Sequence, residues 1–81
     1  MKVVGEQEAY ENLANAIILQ AVKDYRMALA GLKRHPSNYK MQYLKKDVES
    51  FFLSNWFVEL TDLDGQALLE QLRKEAESGE E

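Results

Sequence analysis

The stretch FFLSNWF, Phe51 to Phe57, holds all three Phe and the only Trp of the chain, while the four Tyr lie elsewhere. Its reading decides the fold: these rings are core, a ligand pocket or a surface for a partner. Upstream, Met41, Leu44, Val48, Phe51 and Phe52 recur at three- and four-residue spacing, which marks a helix with one apolar face. At Ser54-Asn55 the phase is lost. Trp56, Phe57, Val58 and Leu60 follow almost without a polar residue. The pattern predicts a break there and one short helical turn, with Ser54 as a cap. Trp56 and Phe57 therefore turn a corner instead of extending the stripe.

Beyond the corner, Thr61-Asp62-Leu63-Asp64 has the form of a capping box with Asp in place of Glu, and predicts the start of another helix. Two carboxylates in a first turn also suit the positive end of the helix dipole. Leu68, Leu69, Leu72 and Ala76 give that helix its apolar stripe, and the same wheel run backwards puts Gly65 in mid-stripe. A helical Gly costs ~1 kcal/mol relative to Ala. Its presence on a buried face predicts that another element comes close, with the rings of the opening block as the nearest large groups. A frayed or kinked first turn is the alternative. Phe51, Phe52, Trp56, Phe57 and Gly65 are thus expected to form the central knot of the core, with Trp56 largely buried beside Gly65.

Before the block, a long helix is predicted over Ala9 to Arg34. At 100° per residue, Tyr10, Leu13, Ala14, Ile17, Ile18, Ala21, Val22, Tyr25, Ala28, Leu29 and Leu32 fill one broad arc. Leu19 and Met27 fall on the opposite side, and Leu53 falls off the stripe of the second helix. Lys33 and Arg34 sit in the last turn, where positive charge is favoured. Pro36 ends the helix by pushing His35 out of the helical region. Ser37 or Asn38 is the expected N-cap of the helix that follows. The fold expected is all-α: three helices, the first one long and lying across the other two, with a short helical turn before the last.

Eighty-one residues make one domain, 1–81, with 1–8 and 77–81 expected to fray. Without Cys there is no disulfide, thiolate metal site or cysteine nucleophile, so stability must come from packing. The N-terminus lacks the apolar run of a signal peptide, and no stretch reaches the ~18 apolar residues of a membrane span. A cytoplasmic protein without membrane association is the expectation. A ~25-residue first helix would span ~38 Å. Two short helices leave part of it uncovered, which raises a homodimer as an expectation.

Chemistry-bearing patterns are sparse. His35, the only His, sits at a helix–loop junction with no acid or nucleophile close by in sequence. Asp62, Asp64 and Gly65 look like a fragment of a calcium loop, but an apolar helix replaces the remaining ligand positions, so capping is the better reading. Asp24 falls inside the apolar arc of the first helix and needs a partner: a basic residue of the second helix, Trp56 or a Tyr hydroxyl. No catalytic residue, cofactor site or metal site is expected.

The net charge of −4 hides an asymmetry. From Lys23 to Lys46, seven Lys and Arg face Asp24 alone; from Thr61 to Glu81, Arg73 and Lys74 face seven Asp and Glu. Lys33, Arg34, Lys40, Lys45 and Lys46 surround the first inter-helix turn and are the candidate nucleic-acid contacts. Yet Lys40, Lys45 and Lys46 point three ways on a wheel, and the last helix, which would read DNA in a helix-turn-helix, is acidic. The pI near 5.0 argues the same way.

Three segments together carry a family resemblance: ANAIILQAVKDYRMAL (Ala14 to Leu29), the FFLSNWF block, and LTDLDGQALLEQLRKE (Leu60 to Glu75). The most specific parts are Ala21 to Arg26, Phe51-Phe52 with Ser54, Trp56 and Phe57, and Leu60-Thr61 with Asp64-Gly65 and Leu68-Leu69. Over about Asn12 to Glu75 the chain resembles a family of short Firmicutes proteins often encoded by prophages and related mobile elements. That family has no assigned activity, so the resemblance brings no catalytic residue. Members often have a more basic third helix than this one, where Glu70 and Glu75 weaken a DNA role. What it implies is a non-enzymatic accessory or interaction protein of a bacterial mobile element, acting through protein contacts with a partner of unknown identity. The alternative is a small nucleic-acid-binding or regulatory module using the basic turn.

Overall fold

The computed structural model describes residues 6–78, with side chains from Glu8 onward. The described residues form four α-helices: α1 (Glu6–Arg34), α2 (Tyr39–Phe52), α3 (Asn55–Leu60) and α4 (Gly65–Glu77). The all-α expectation and the long first helix hold. The count differs, because the expected short turn is a six-residue helix in its own right. Helix α1 begins three residues before the expected Ala9. The rest of the stretches expected to fray, 1–5 and 79–81, lies outside the described residues.

Each junction follows from local chemistry. At the end of α1, the Asn38 N–H donates to the His35 carbonyl at 3.0 Å, closing a turn with Pro36 at the position its fixed φ favours. Asn38 then caps α2, its side-chain oxygen accepting from the Lys40 and Met41 N–H groups at 3.1 and 3.2 Å. Ser54 organises the corner alone. Its hydroxyl donates to the Phe51 carbonyl at 2.7 Å and accepts from the Phe57 N–H at 3.2 Å, so one side chain both ends α2 and caps α3.

The last helix starts later than the capping-box reading put it. Thr61 is the extended C-cap of α3, and its hydroxyl accepts from the Leu63 N–H at 3.2 Å. The N-cap of α4 is Asp64, which accepts from the Ala67 N–H at 3.2 Å. Gly65 is therefore the first helical residue.

The core is built where α1, α2 and α4 meet and α3 closes one end. Ile18, Tyr25, Val48, Phe52, Phe57, Leu69 and Leu72 are buried together, with Ala21, Val22, Leu29, Leu44, Phe51 and Leu68 packed around them. Phe52 and Phe57 meet edge-on at 5.2 Å, and Phe51 meets Phe57 at 5.6 Å, geometries that favour aromatic pairs. Gly65 is pressed against this pair as its position in the stripe predicts. A Cβ there would collide with the Phe52 carbonyl oxygen and sit 3.2 Å from the Phe57 ring.

Trp56 is the correction. It is 56% exposed, and the rings beside Gly65 belong to Phe52 and Phe57. Capped at Ser54, α3 points its third residue, Phe57, inward, and its second, Trp56, then faces out. Trp56 meets the half-buried Phe51 edge-on, at 5.4 Å.

The expected arc of α1 is also only partly covered. Ala14, Ile18, Tyr25 and Ala28 are buried, whereas Tyr10 and Leu13 are 50% and 61% exposed. A 29-residue helix is ~43 Å long, and the molecule measures 51 × 27 × 23 Å. The N-terminal turns of α1 overhang the shorter helices.

Candidate protein-contact surface

Polar side chains converge in one place, and there they satisfy one another. The Tyr25 hydroxyl donates to a Glu49 carboxylate oxygen at 2.7 Å. Arg73 donates through Nε to the Tyr25 hydroxyl at 3.1 Å and through Nη2 to the same Glu49 oxygen at 3.2 Å. Lys45 reaches that oxygen at 2.9 Å, one helical turn before Glu49. The cluster ties α1, α2 and α4 together. Burial pushes the Glu49 carboxyl up, but the hydrogen bonds from Tyr25, Lys45 and Arg73 outweigh it and hold it below the ordinary 4.5. Burial and then the Glu49 hydrogen bond push the Tyr25 hydroxyl above the ordinary 10.0, against an opposing bond from Arg73.

Both shifts convert into a stability profile. Glu49, depressed in the fold, contributes fully above its unfolded value, and the contribution is lost as pH falls through the folded value. Tyr25, raised in the fold, contributes below its unfolded value and loses this as pH rises through the folded one. Glu49→Gln is expected to lower stability by about 1–2 kcal/mol at neutral pH, a hydrogen-bond figure discounted because Lys45 and Arg73 are 34% and 40% exposed. Urea unfolding at neutral pH and near pH 4 checks it: the difference between wild type and variant should shrink at the lower pH.

Two of the five candidate nucleic-acid residues make contacts within the fold. Lys45 is taken up by Glu49. Lys33 donates to the Ala76 carbonyl at 2.7 Å, capping the C-terminal turn of α4. Arg34 lies with Lys33 on a groove between α1 and α4 that also carries Met27, Leu29 and Leu72. Lys40 and Lys46 are exposed on α2. Arg26, on the same groove, pairs with Glu75 at 3.2 Å. His35 is exposed at the turn. Among the described residues, no three His, Cys, Asp or Glu side chains gather closely enough to hold a metal ion, and no helix is long and apolar enough to cross a membrane.

A different surface stands out. Tyr10, Leu13, Ile17, Gln20, Ala21 and Asp24 share one face of α1 by helical spacing. From Ile17 to Asp24 this face forms one wall of a groove of about 610 Å³. The opposite wall comes from Asp47, Val48, Ser50 and Phe51 of α2, with Ser54 and Trp56 closing the end. Ala21, Ser50 and Ser54 are the small side chains of the lining, and Asp24 and Asp47 give it two carboxylates. Asp24 accepts from Gln20 Nε2 at 3.0 Å, so its partner is a neighbour on its own helix and none of those the sequence suggested. The exposed halves of Tyr10 and Trp56, with Leu13, add up to apolar surface on the order of 300 Å², the size of the largest patch on an ordinary monomer.

Sequence reasoning missed both features. A Tyr in the middle of an apolar arc was a signal that a partner for its hydroxyl must exist, and the Lys45–Glu49 spacing is readable on a wheel. Nothing in the sequence connects either to Arg73. Compared with family models, curated proteins and solved structures, the chain matches none.

Proposed function

We propose that this protein is a small non-enzymatic interaction module that works through the apolar face running from Tyr10 and Leu13 to Trp56. The observation that carries this reading is the exposed Trp56. An aromatic anchor left in solvent beside a small-residue groove fits a contact surface, since Trp and Tyr dominate the energetics of protein interfaces. The polar side chains that converge elsewhere are occupied with one another, which favours a structural role for them. The family resemblance adds the setting: an accessory protein of a bacterial mobile element, in the cytoplasm.

The nucleic-acid alternative draws less support. It keeps Arg34, Lys40 and Lys46 but shares Lys33 and Lys45 with contacts inside the fold. Trp56→Ala is expected to change stability by about 1 kcal/mol or less, as for an exposed side chain with one ring contact, while removing partner binding. Affinity capture from a lysate of the bacterium that carries the protein, with wild type beside Trp56→Ala, tests this. Protein bands retained by wild type and lost with the variant are expected. Capture unaffected by the variant would overturn the reading, and nucleic acid eluted by salt would move it to the basic turn.

A further inference from the structure

The groove and the overhang lie on the same face of the same helix, and each supplies what the other lacks. The overhang carries two half-exposed side chains, Tyr10 and Leu13. The groove offers room at the small side chains Ala21, Ser50 and Ser54, and carries two carboxylates, Asp24 and Asp47. Leu13 and Ala21 are eight residues apart, ~12 Å along α1.

Resting on the contact face just proposed, we infer that its partner is a second copy of this chain, docked antiparallel along α1 with the two-fold axis beside Ile17. In that register Ile17 faces Ile17 of the second copy, Leu13 faces Ala21, and Tyr10 faces Asp24. A large side chain meets a small one at both ends, which is how helix surfaces interlock. The Tyr10 hydroxyl arrives as a donor at a carboxylate that so far accepts only from Gln20. Trp56, at the end of the groove, covers the incoming turn. The same patch serves both copies, so the contact is isologous and closes at two, with no surface left to propagate. Glu8 and Glu11 fall away from this face on the helical wheel, while Glu6, one turn before Tyr10, lies on it. Two such patches cover on the order of 600 Å² of apolar surface, the apolar centre of a contact at the lower end of specific interfaces. The dimer is therefore a reversible one.

Sedimentation velocity over a wide concentration range, on wild type, Leu13→Glu and Tyr10→Ala, reads this directly. Both substituted residues are half or more exposed, so the variants keep their helical circular dichroism. Wild type is expected to move from 9.4 kDa towards twice that mass as concentration rises, while Leu13→Glu stays at the monomer mass throughout and Tyr10→Ala needs a higher concentration to associate. The chain has no Cys, so Ile17→Cys gives an independent reading. It should form a disulfide-linked dimer on mild oxidation, and Leu19→Cys, on the opposite side of α1, should not. A wild-type monomer at every concentration, or a dimer indifferent to Leu13→Glu, overturns the inference. The first of these outcomes, combined with Trp56-dependent capture of another protein, leaves the contact face standing and removes only the second copy as its occupant.

Discussion

Replacing Phe57 with alanine is expected to remove about 3–5 kcal/mol of stability. Phe57 is 1% exposed and is the only buried residue of α3. A six-residue helix has no independent stability in water. Its position depends on the Ser54 cap and on the Phe57 ring wedged against Phe51 and Phe52. Truncation leaves a void between two rings, and the cap alone does not hold α3 over it. A domain of this size has on the order of 4–12 kcal/mol in total, so the variant is expected to be partly unfolded at 37 °C. Val58→Ala is the internal comparison: Val58 is exposed, and a change within about 0.5 kcal/mol is expected there. Urea midpoints for the two variants check the pair. Equal losses would mean that α3 does not close the core.

Gly65→Ala is expected to cost about 2–3 kcal/mol, against the usual gain from alanine in a helix. The added Cβ collides with the Phe52 carbonyl oxygen and lies 2.9 Å from the carbonyl carbon. These are backbone atoms at the end of α2, so no side-chain rotation relieves the contact. The first turn of α4 must retreat, and it carries Leu68 and Leu69 out of register with the core as it does so. Gln66→Ala, one residue on and exposed, should stay near wild type. A Gly65→Ala protein as stable as wild type in the same urea titration would show that α4 slides freely over α2.

The helices were readable because their apolar residues repeat at helical spacing and their ends carry Pro36, Asn38, Ser54 and Asp64. The close approach at Gly65 was readable too, because a Gly in mid-stripe has few other uses. The identity of the ring facing it was not. Trp56, Phe57 and Val58 are consecutive and all apolar, and in so short a helix only one direction is inward. That direction is set by the phase in which Ser54 caps the helix, a property of the junction and not of hydrophobicity. The largest ring was expected inside, and the cap put it outside. The start of α4 had a similar ambiguity, since Thr61 and Asp64 both have a side chain able to cap. The choice of Asp64 leaves Gly65 as the residue that meets Phe52.

The contact face was legible only in outline. A first helix too long for its neighbours implied uncovered surface, but not that its bare turns would share a face with a groove. The polar cluster was harder still. Glu49 and Arg73 each look like solvent-facing residues of their own helices, and they meet Tyr25 across separations of 24 and 48 residues. Likewise, a run of Lys and Arg along the chain does not reveal that Lys33 and Lys45 are turned to the Ala76 carbonyl and Glu49.

The placement of Trp56 outside the core is tested most directly by iodide quenching of its fluorescence, because it is the only Trp in the chain. In dilute protein with full helical circular dichroism, Trp56 is expected to emit like an indole in water and to be quenched readily, with protection appearing as concentration rises and the face is covered. Blue-shifted emission shielded from iodide at every dilution would put Trp56 in the core and contradict the contact surface.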